Sequence, residues 1–303
     1  MRVGISLTSF HATRDVRAGA SWMVERAAAA RDAGLDSLFV GDHHVMPAPY
    51  YQNTVIMGRL LAEWNSNPAG CLFLLPLWNP VLAAEQIGTL ASIAKGRFIL
   101  QCALGTGRDQ FGGMGVNVKQ RPSLFEQSLG IVRRLLAGET VSSEGRFRMD
   151  GAHIAPVPPE PVEVWIGGSV EPSIDRAARL GDAWLAGPEL TPEQARHWAA
   201  FYRERCAEYG RTPTCVAIRR DIYVGDEAAQ ARAIAEPIIA AGYRGHDPSA
   251  STFGSVAEVA DRFAAYGAMG YTDIIVRHLT DDQRQVRDSI ARLARVREAV
   301  RTI

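Results

Sequence analysis

The sequence predicts an α/β protein folded as a (β/α)8 TIM barrel with an inserted hairpin and loop segments, and three observations carry that prediction. Short β-rich apolar runs alternate with helical patterns almost to the last residue, the runs number eight, and polar residues gather where the runs end. Repeated strand-helix units of this kind give a parallel sheet covered by helices. At 303 residues the chain can bury a core of that size, so a single domain over 1–303 is expected.

The first strand is expected at 2–7, and the alanine-rich helix that follows, 21–33, closes on Gly34. The apolar run 37–40 stops at Gly41 and precedes a helix at 54–63. The run 71–75 leads to a helix at 80–94 that opens on Pro80 and is followed by Gly96. Strand 98–103 is paired with helix 122–137, which ends before Gly138. Strands 162–166 and 183–185 alternate with helices 171–180 and 192–209, the latter opened by Pro192. Strand 216–224 and helix 226–241 follow, then helix 256–266, strand 273–276 and helix 281–300.

Two stretches interrupt the alternation. Residues 140–161 hold turn signals at Gly145 and Gly151 around a short β run and leave through Pro156, Pro158, Pro159 and Pro161, which reads as an inserted hairpin. Residues 242–255 are polar and glycine-containing, a segment expected to be a lid or a disordered link.

The 33 basic and 33 acidic side chains cancel, so no net field draws the protein to nucleic acid or an anionic membrane. Cys71, Cys102, Cys206 and Cys215 show no CxxC spacing and read as reduced packing residues. No metal site is expected, because Asp42-His43-His44 lacks helical ligand spacing and no other cluster completes a ligand set. The opening residues lack a secretory signal and no run is long enough to span a bilayer, so the expected compartment is the cytoplasm.

In a barrel the carboxyl ends of the strands share one face, and their polar residues form a group. They are Asp42, His43 and His44 after strand two; Pro76-Leu77-Trp78-Asn79 after strand three; Gly105-Thr106-Gly107-Arg108-Asp109 after strand four; Gly167-Gly168-Ser169 after strand five; and Arg277-His278 after strand eight. Adjacent side chains on a strand point to opposite faces, so at most one of His43 and His44 faces a pocket directly. Gly167-Gly168-Ser169 opens a helix and reads either as an anion site or as a tight strand-to-helix turn. Gly105 to Arg108 offers similar chemistry with a guanidinium. Trp78 stands where a planar ligand can stack, while Met46, Pro47, Tyr50 and Tyr51 read as an apolar pocket or as rim packing.

Several segments, taken together and in order, resemble the bacterial luciferase-like superfamily of flavin- and deazaflavin-dependent oxidoreductases. They are 33–44, ending in Gly41-Asp42-His43-His44; 74–86, with Pro76, Trp78, Asn79 and Pro80; Lys95-Gly96-Arg97-Phe98; 111–115; Trp165-Ile166-Gly167-Gly168; and the closing stretches 254–260 and 270–273. The resemblance implies a (β/α)8 barrel with reduced FMN, or coenzyme F420, across its carboxyl-terminal mouth. It implies His43, with Asp42, as the catalytic group, and cofactor contacts from Cys71, Leu72, Gly105, Thr106, Gly107, Arg108, Gly167, Gly168 and Ser169. Members commonly carry a non-prolyl cis peptide on strand three, which here falls at Cys71-Leu72 or Gly70-Cys71. Trp78-Asn79 departs from the Arg-His that usually precedes the proline.

The activity implied first is a monooxygenase that takes reduced FMN from a separate flavin reductase and uses oxygen on a small organic substrate. The absence of a Rossmann-type NAD(P)H fingerprint fits that supply route. An alternative is F420-dependent hydride transfer, and a second is a non-catalytic flavin-binding protein. A homodimer is expected from the resemblance.

Overall fold

The computed structural model describes residues 1–301; the last two positions of the expected domain over 1–303 lie outside the described residues. In chain order the elements are β1 (Arg2–Leu7), α1 (Val16–Asp32), β2 (Leu38–Val40), α2 (Asn53–Leu60), β3 (Ala69–Phe73), α3 (Pro80–Ile93), β4 (Phe98–Cys102), α4 (Arg108–Gly113), α5 (Arg121–Leu136), β5 (Val141–Ser143), β6 (Met149–Ala152), β7 (Glu163–Gly167), α6 (Glu171–Leu180), β8 (Ala183–Ala186), α7 (Pro192–Glu208), β9 (Cys215–Val224), α8 (Ala228–Ala240), β10 (Thr252–Gly254), α9 (Val256–Ala268), β11 (Asp273–His278) and α10 (Gln283–Arg301). The fold is an α/β (β/α)8 TIM barrel whose strands are β1, β2, β3, β4, β7, β8, β9 and β11, with β5 and β6 forming the inserted hairpin.

By compactness the chain divides into two units, each discontinuous in sequence. The first comprises Met1–Thr8, Ser21–Leu38 and Trp165–Ile303, the second Ser9–Ala20 and Phe39–Val164.

In the first unit the parallel ladder runs β7, β8, β9, β11, β1. One edge of β9 is shared: β8 pairs with its first part through Ala186 opposite Ile218, and β10 takes over at Ile222. Between these two pairings Arg220 acts in place of a ladder. Its fully buried guanidinium donates to the carbonyls of Leu190, Ala250 and Gly187, and lies 4.9 Å from the Tyr266 ring centroid. The core includes Trp184, whose ring packs on Tyr202 and Tyr271. Helix starts follow local chemistry: Thr191 with Gln194 and Ser255 with Glu258 form capping boxes at α7 and α9.

In the second unit β3 and β4 pair in register from Ala69 opposite Phe98 to Phe73 opposite Cys102. Phe39, Met57, Phe73, Phe111 and Phe125 are buried there. The Asn79 side chain accepts from the amides of Val81 and Leu82, so one half of the Trp78-Asn79 departure is a helix cap for α3.

Several expectations are corrected by the structure. Helix α1 begins at Val16 rather than 21, because the Asp15 carboxylate accepts from the amides of Arg17 and Ala18 and starts the helix earlier. Strand β3 ends at Phe73, and residues Leu75–Leu77 turn into a 3-10 helix around Pro76, which has no amide for a ladder. The non-prolyl cis bond expected at Cys71-Leu72 or Gly70-Cys71 is absent: β3 keeps an unbroken register with β4 through all three residues, and the one cis bond among the described residues is Ala155-Pro156. Residues 242–255 are not a disordered link. They contain β10 and two 3-10 turns, held by Arg220 to Ala250 and by Tyr243 Oη to Asp221 at 3.0 Å. Among the described residues no helix is long and apolar enough to cross a membrane.

Candidate active site

In the second unit the polar tip of β2 is organised by Asp42. Leu38, Phe39 and Val40 are fully buried, so the chain leaves the core at Gly41 and delivers Asp42 only 6% exposed. Its Oδ2 accepts two hydrogen bonds of 2.8 Å, from the Leu74 amide and from Trp78 Nε1. Its Oδ1 faces His44 Nε2 at 3.3 Å, and neither of these two buried atoms makes a hydrogen bond among the described residues. A buried carboxylate with two charge-assisted donors is a fixed point in the site.

The two histidines, which lie beyond the end of β2, point to different neighbours. His44 lies against Asp42, its ring edge-on to Trp78 at 5.8 Å, and its amide donates to Gln110 Oε1 at 3.4 Å. His43 points elsewhere, with its ring 6.0 Å from that of Tyr50 and its carbonyl accepting from Gln52. Burial lowers the His43 pKa, Asp42 raises it and the neighbouring His44 lowers it further, for a net shift downward. A half-buried neutral imidazole at pH 7 is suited to accept a proton.

Gln110, which the sequence reading did not single out, links the β2 tip to the segment after β4. Its side-chain amide donates to the Thr106 carbonyl while its oxygen takes the His44 amide. Gly105 and Gly107 hold positive φ of 76° and 86°, and Gly105 O accepts from Arg121. Thr106, Gly107 and Arg108 are exposed, with Arg108 opening the short helix α4 rather than sitting in a loop. The only signal for Gln110 was its place one turn after the glycines. Val45, beyond His44, adopts φ 55°, and a Cβ on Gly113 would fall 2.7 Å from its Cγ2, so glycine there makes room for this strained turn.

Of Cys71 and Leu72, only Leu72 keeps exposed surface. Cys71 is fully buried, its Sγ donating to Asn53 O at 3.7 Å, and burial pushes its thiol well up. Its side chain is therefore directed into the core and not toward a ligand. Leu72, Trp78 and Ala103 are among the partly exposed members of an apolar cluster built on Leu74, Leu77 and Phe111. Tyr51 is rim packing: its hydroxyl donates to Val16 O and its ring lies against Gly19.

In the first unit Gly167 ends β7, and Gly168 is pinned on both sides. Its amide donates to Leu185 O and its carbonyl accepts from Trp184 Nε1 at 2.8 Å. A Cβ on Gly168 would sit 2.2 Å from Ser173 Oγ, so the turn into α6 requires glycine. Ser169 Oγ accepts from the Gly187 amide, leaving its hydroxyl hydrogen for a further acceptor. Arg277 and His278 lie inside β11 rather than beyond it. Arg277 donates to Ser6 Oγ at 2.9 Å, whereas His278 is a core residue bonded to Ser289 Oγ at 3.0 Å, with burial lowering its pKa to about 3. A 790 Å³ cavity in this unit is lined by Arg2, Thr214 and Thr272, at the amino ends of β1, β9 and β11 and thus remote from Arg277.

A family model described as luciferase-like monooxygenase matches residues 1–294. An F420-dependent glucose-6-phosphate dehydrogenase of Nakamurella multipartita is 28% identical over 186 residues, covering 57% of this chain and 54% of that protein. The chain spans about half the length of the curated relatives it matches. Among solved structures, a monooxygenase of Streptomyces bottropensis superposes with a TM-score of 0.84 at 18% identity, over 97% of this chain and 98% of that one. The oxygenating constituent of 3,6-diketocamphane monooxygenase of Pseudomonas putida, in complex with FMN, gives 0.82 at 19% identity, over 97% and 96%.

Proposed function

This chain belongs to the luciferase-like monooxygenase family, and from that membership we propose an oxidoreductase that uses reduced FMN and dioxygen to oxygenate a small organic substrate. The observation that carries the reading is the Asp42 tip, where a buried carboxylate fixes Trp78 and faces His44 while His43 stands beside it as a neutral imidazole. Such a tip supplies a fixed charge and a proton acceptor at the carboxyl end of a barrel strand.

The residues present fit a flavin. Leu72, Trp78 and Ala103 offer a partly exposed apolar wall for a ring system, and Thr106, Gly107 and Arg108 offer exposed donors for polar or anionic parts. Taken by itself, the Gly167-Gly168-Ser169 turn of the first unit, with the Ser169 hydroxyl and the start of the ten-residue helix α6, suits an anion. Reduced flavin, supplied by a separate reductase, provides the electrons that activate oxygen when bound. In this proposal His43 moves the proton at its ring nitrogen, Asp42 orients Trp78 and His44, and Gln110 keeps the β2 tip in register with the glycine segment.

A second reading is hydride transfer with F420, favoured by the curated F420-dependent glucose-6-phosphate dehydrogenases. His43 is then the proton partner of the substrate. Oxygen uptake with reduced FMN and a panel of organic substrates tests the first reading. Substrate-dependent uptake supports it, and anaerobic F420 turnover without oxygen uptake replaces it with the second. A homodimer is part of the proposal and is checked by sedimentation.

A further inference from the structure

One polar cluster in the first unit has no part in the chemistry assigned above. Arg219 and Asp221 are two apart on β9 and share a face, with Arg219 Nε 3.4 Å from Asp221 Oδ1. Arg220 between them turns to the opposite face, against Tyr266 of α9. Asp221 is the register partner of Arg277 on β11, which reaches Ser6 on β1. From the turn before β10, Tyr243 Oη donates to Asp221 Oδ2 at 3.0 Å and Arg244 Nη1 lies 3.8 Å from the same oxygen. Ser6 and Arg277 lie one residue short of the carboxyl ends of β1 and β11, and on β9 the cluster falls in mid-strand, just past the stretch paired with β8 through Ala186 opposite Ile218.

Burial pushes the Asp221 carboxyl up, but Arg219, Arg277 and Arg244 outweigh it and hold the pKa below the usual carboxylate range. Three guanidiniums act on this one carboxylate, while Glu189 is a second acidic group in reach of the neighbouring Arg220 and His246. The hydrogen bonding of the cluster is incomplete. Arg219 Nε and Nη2 are buried and donate to nothing among the described residues. Arg244 is held at φ 51°, a left-handed conformation uncommon for a non-glycine residue. Buried guanidinium donors call for acceptors, and an arginine fork matches the paired oxygens of a carboxylate or phosphate.

We propose that Arg219, Arg277 and Arg244 form an oxyanion site that holds a carboxylate or phosphate monoester group of the substrate. The oxidoreductase reading enters only in giving the anion to the substrate. In that assignment the Arg219 donors take the anion's oxygens, and Asp221 keeps the guanidiniums apart and oriented.

The test is calorimetric titration of the purified protein with inorganic phosphate and, separately, with acetate, at constant ionic strength. Saturable binding of either probe is expected, weakened at least about tenfold by Arg219→Met. Asp221→Asn, which removes the competing carboxylate, is expected to tighten it, a change that a damaged fold would not produce. Phosphate binding without acetate binding assigns a phosphate monoester; binding of both assigns either group. The titrations are repeated with reduced FMN or F420 present. Unchanged anion binding assigns the site to the substrate, whereas competition assigns it to a phosphate of the cofactor and overturns the proposal. Absence of saturable binding, or binding indifferent to Arg219→Met, also overturns it. No turnover is measured, so a negative result leaves the oxidoreductase reading standing, and failure of that reading leaves the titration intact.

Discussion

The indole of Trp78 donates a 2.8 Å hydrogen bond to Asp42 Oδ2, tying the tip of β2 to the turn after β3. The same oxygen takes the Leu74 amide, so one carboxylate oxygen positions two segments. Trp78→Phe keeps an aromatic ring, though a smaller one, and removes the donor. It is expected to lower stability by about 1–2 kcal/mol in urea denaturation. Asp42→Ala is expected to cost more, since both the indole and the amide lose their acceptor, and an equal or smaller loss contradicts this account of the tip.

His43→Ala is expected to separate binding from chemistry. Among the described residues the His43 ring makes no hydrogen bond that holds the tip together, so cofactor affinity should hold while kcat falls about 100-fold or more. Full turnover in the variant removes the catalytic assignment and leaves the binding site.

Arg220→Met is expected to destabilise by roughly 3 kcal/mol or more, because the carbonyls of Leu190, Ala250 and Gly187 lose a buried charged donor. The same variant should loosen residues around β10, read as faster amide exchange at Thr252–Gly254. Unchanged exchange there means β10 is held by its pairing to β9 alone.

Acid stability is expected to depend on His278. Its folded pKa, about 3, lies below the ordinary value of 6.5, so the unfolded chain binds the proton more readily. That contribution is fully present above pH 6.5 and is lost as pH falls toward 3, with a slope of up to about 1.4 kcal/mol per pH unit. His278→Gln should flatten the profile of unfolding free energy across that window, and an unaltered slope contradicts a buried neutral imidazole.

Much of the barrel was legible because periodicity, proline starts and glycine ends are local signals. Helix 171–180 coincides with α6, strand 2–7 coincides with β1, and the hairpin at 140–161 is present as β5 and β6. What escaped was set by contacts distant in sequence or by side-chain capping. Asp15 moved the start of α1, and Thr252–Gly254 became a strand only because β9 runs past the end of β8 and offers an open edge. At the β2 tip, alternation was expected to separate His43 from His44, but both lie beyond the strand, and which one meets Asp42 depends on Gln110 and Trp78 from later segments. The Arg219, Asp221 and Arg277 cluster was hidden for the same reason: Arg277 was visible as a strand tip, but its partner lies in the middle of another strand.

The central claim concerns the cofactor, and anaerobic equilibrium titration of the protein with reduced FMN and with F420, followed by fluorescence, tests it most directly. The account predicts saturable tight binding of reduced FMN with negligible F420 binding, and tight F420 binding with negligible reduced FMN binding would contradict it.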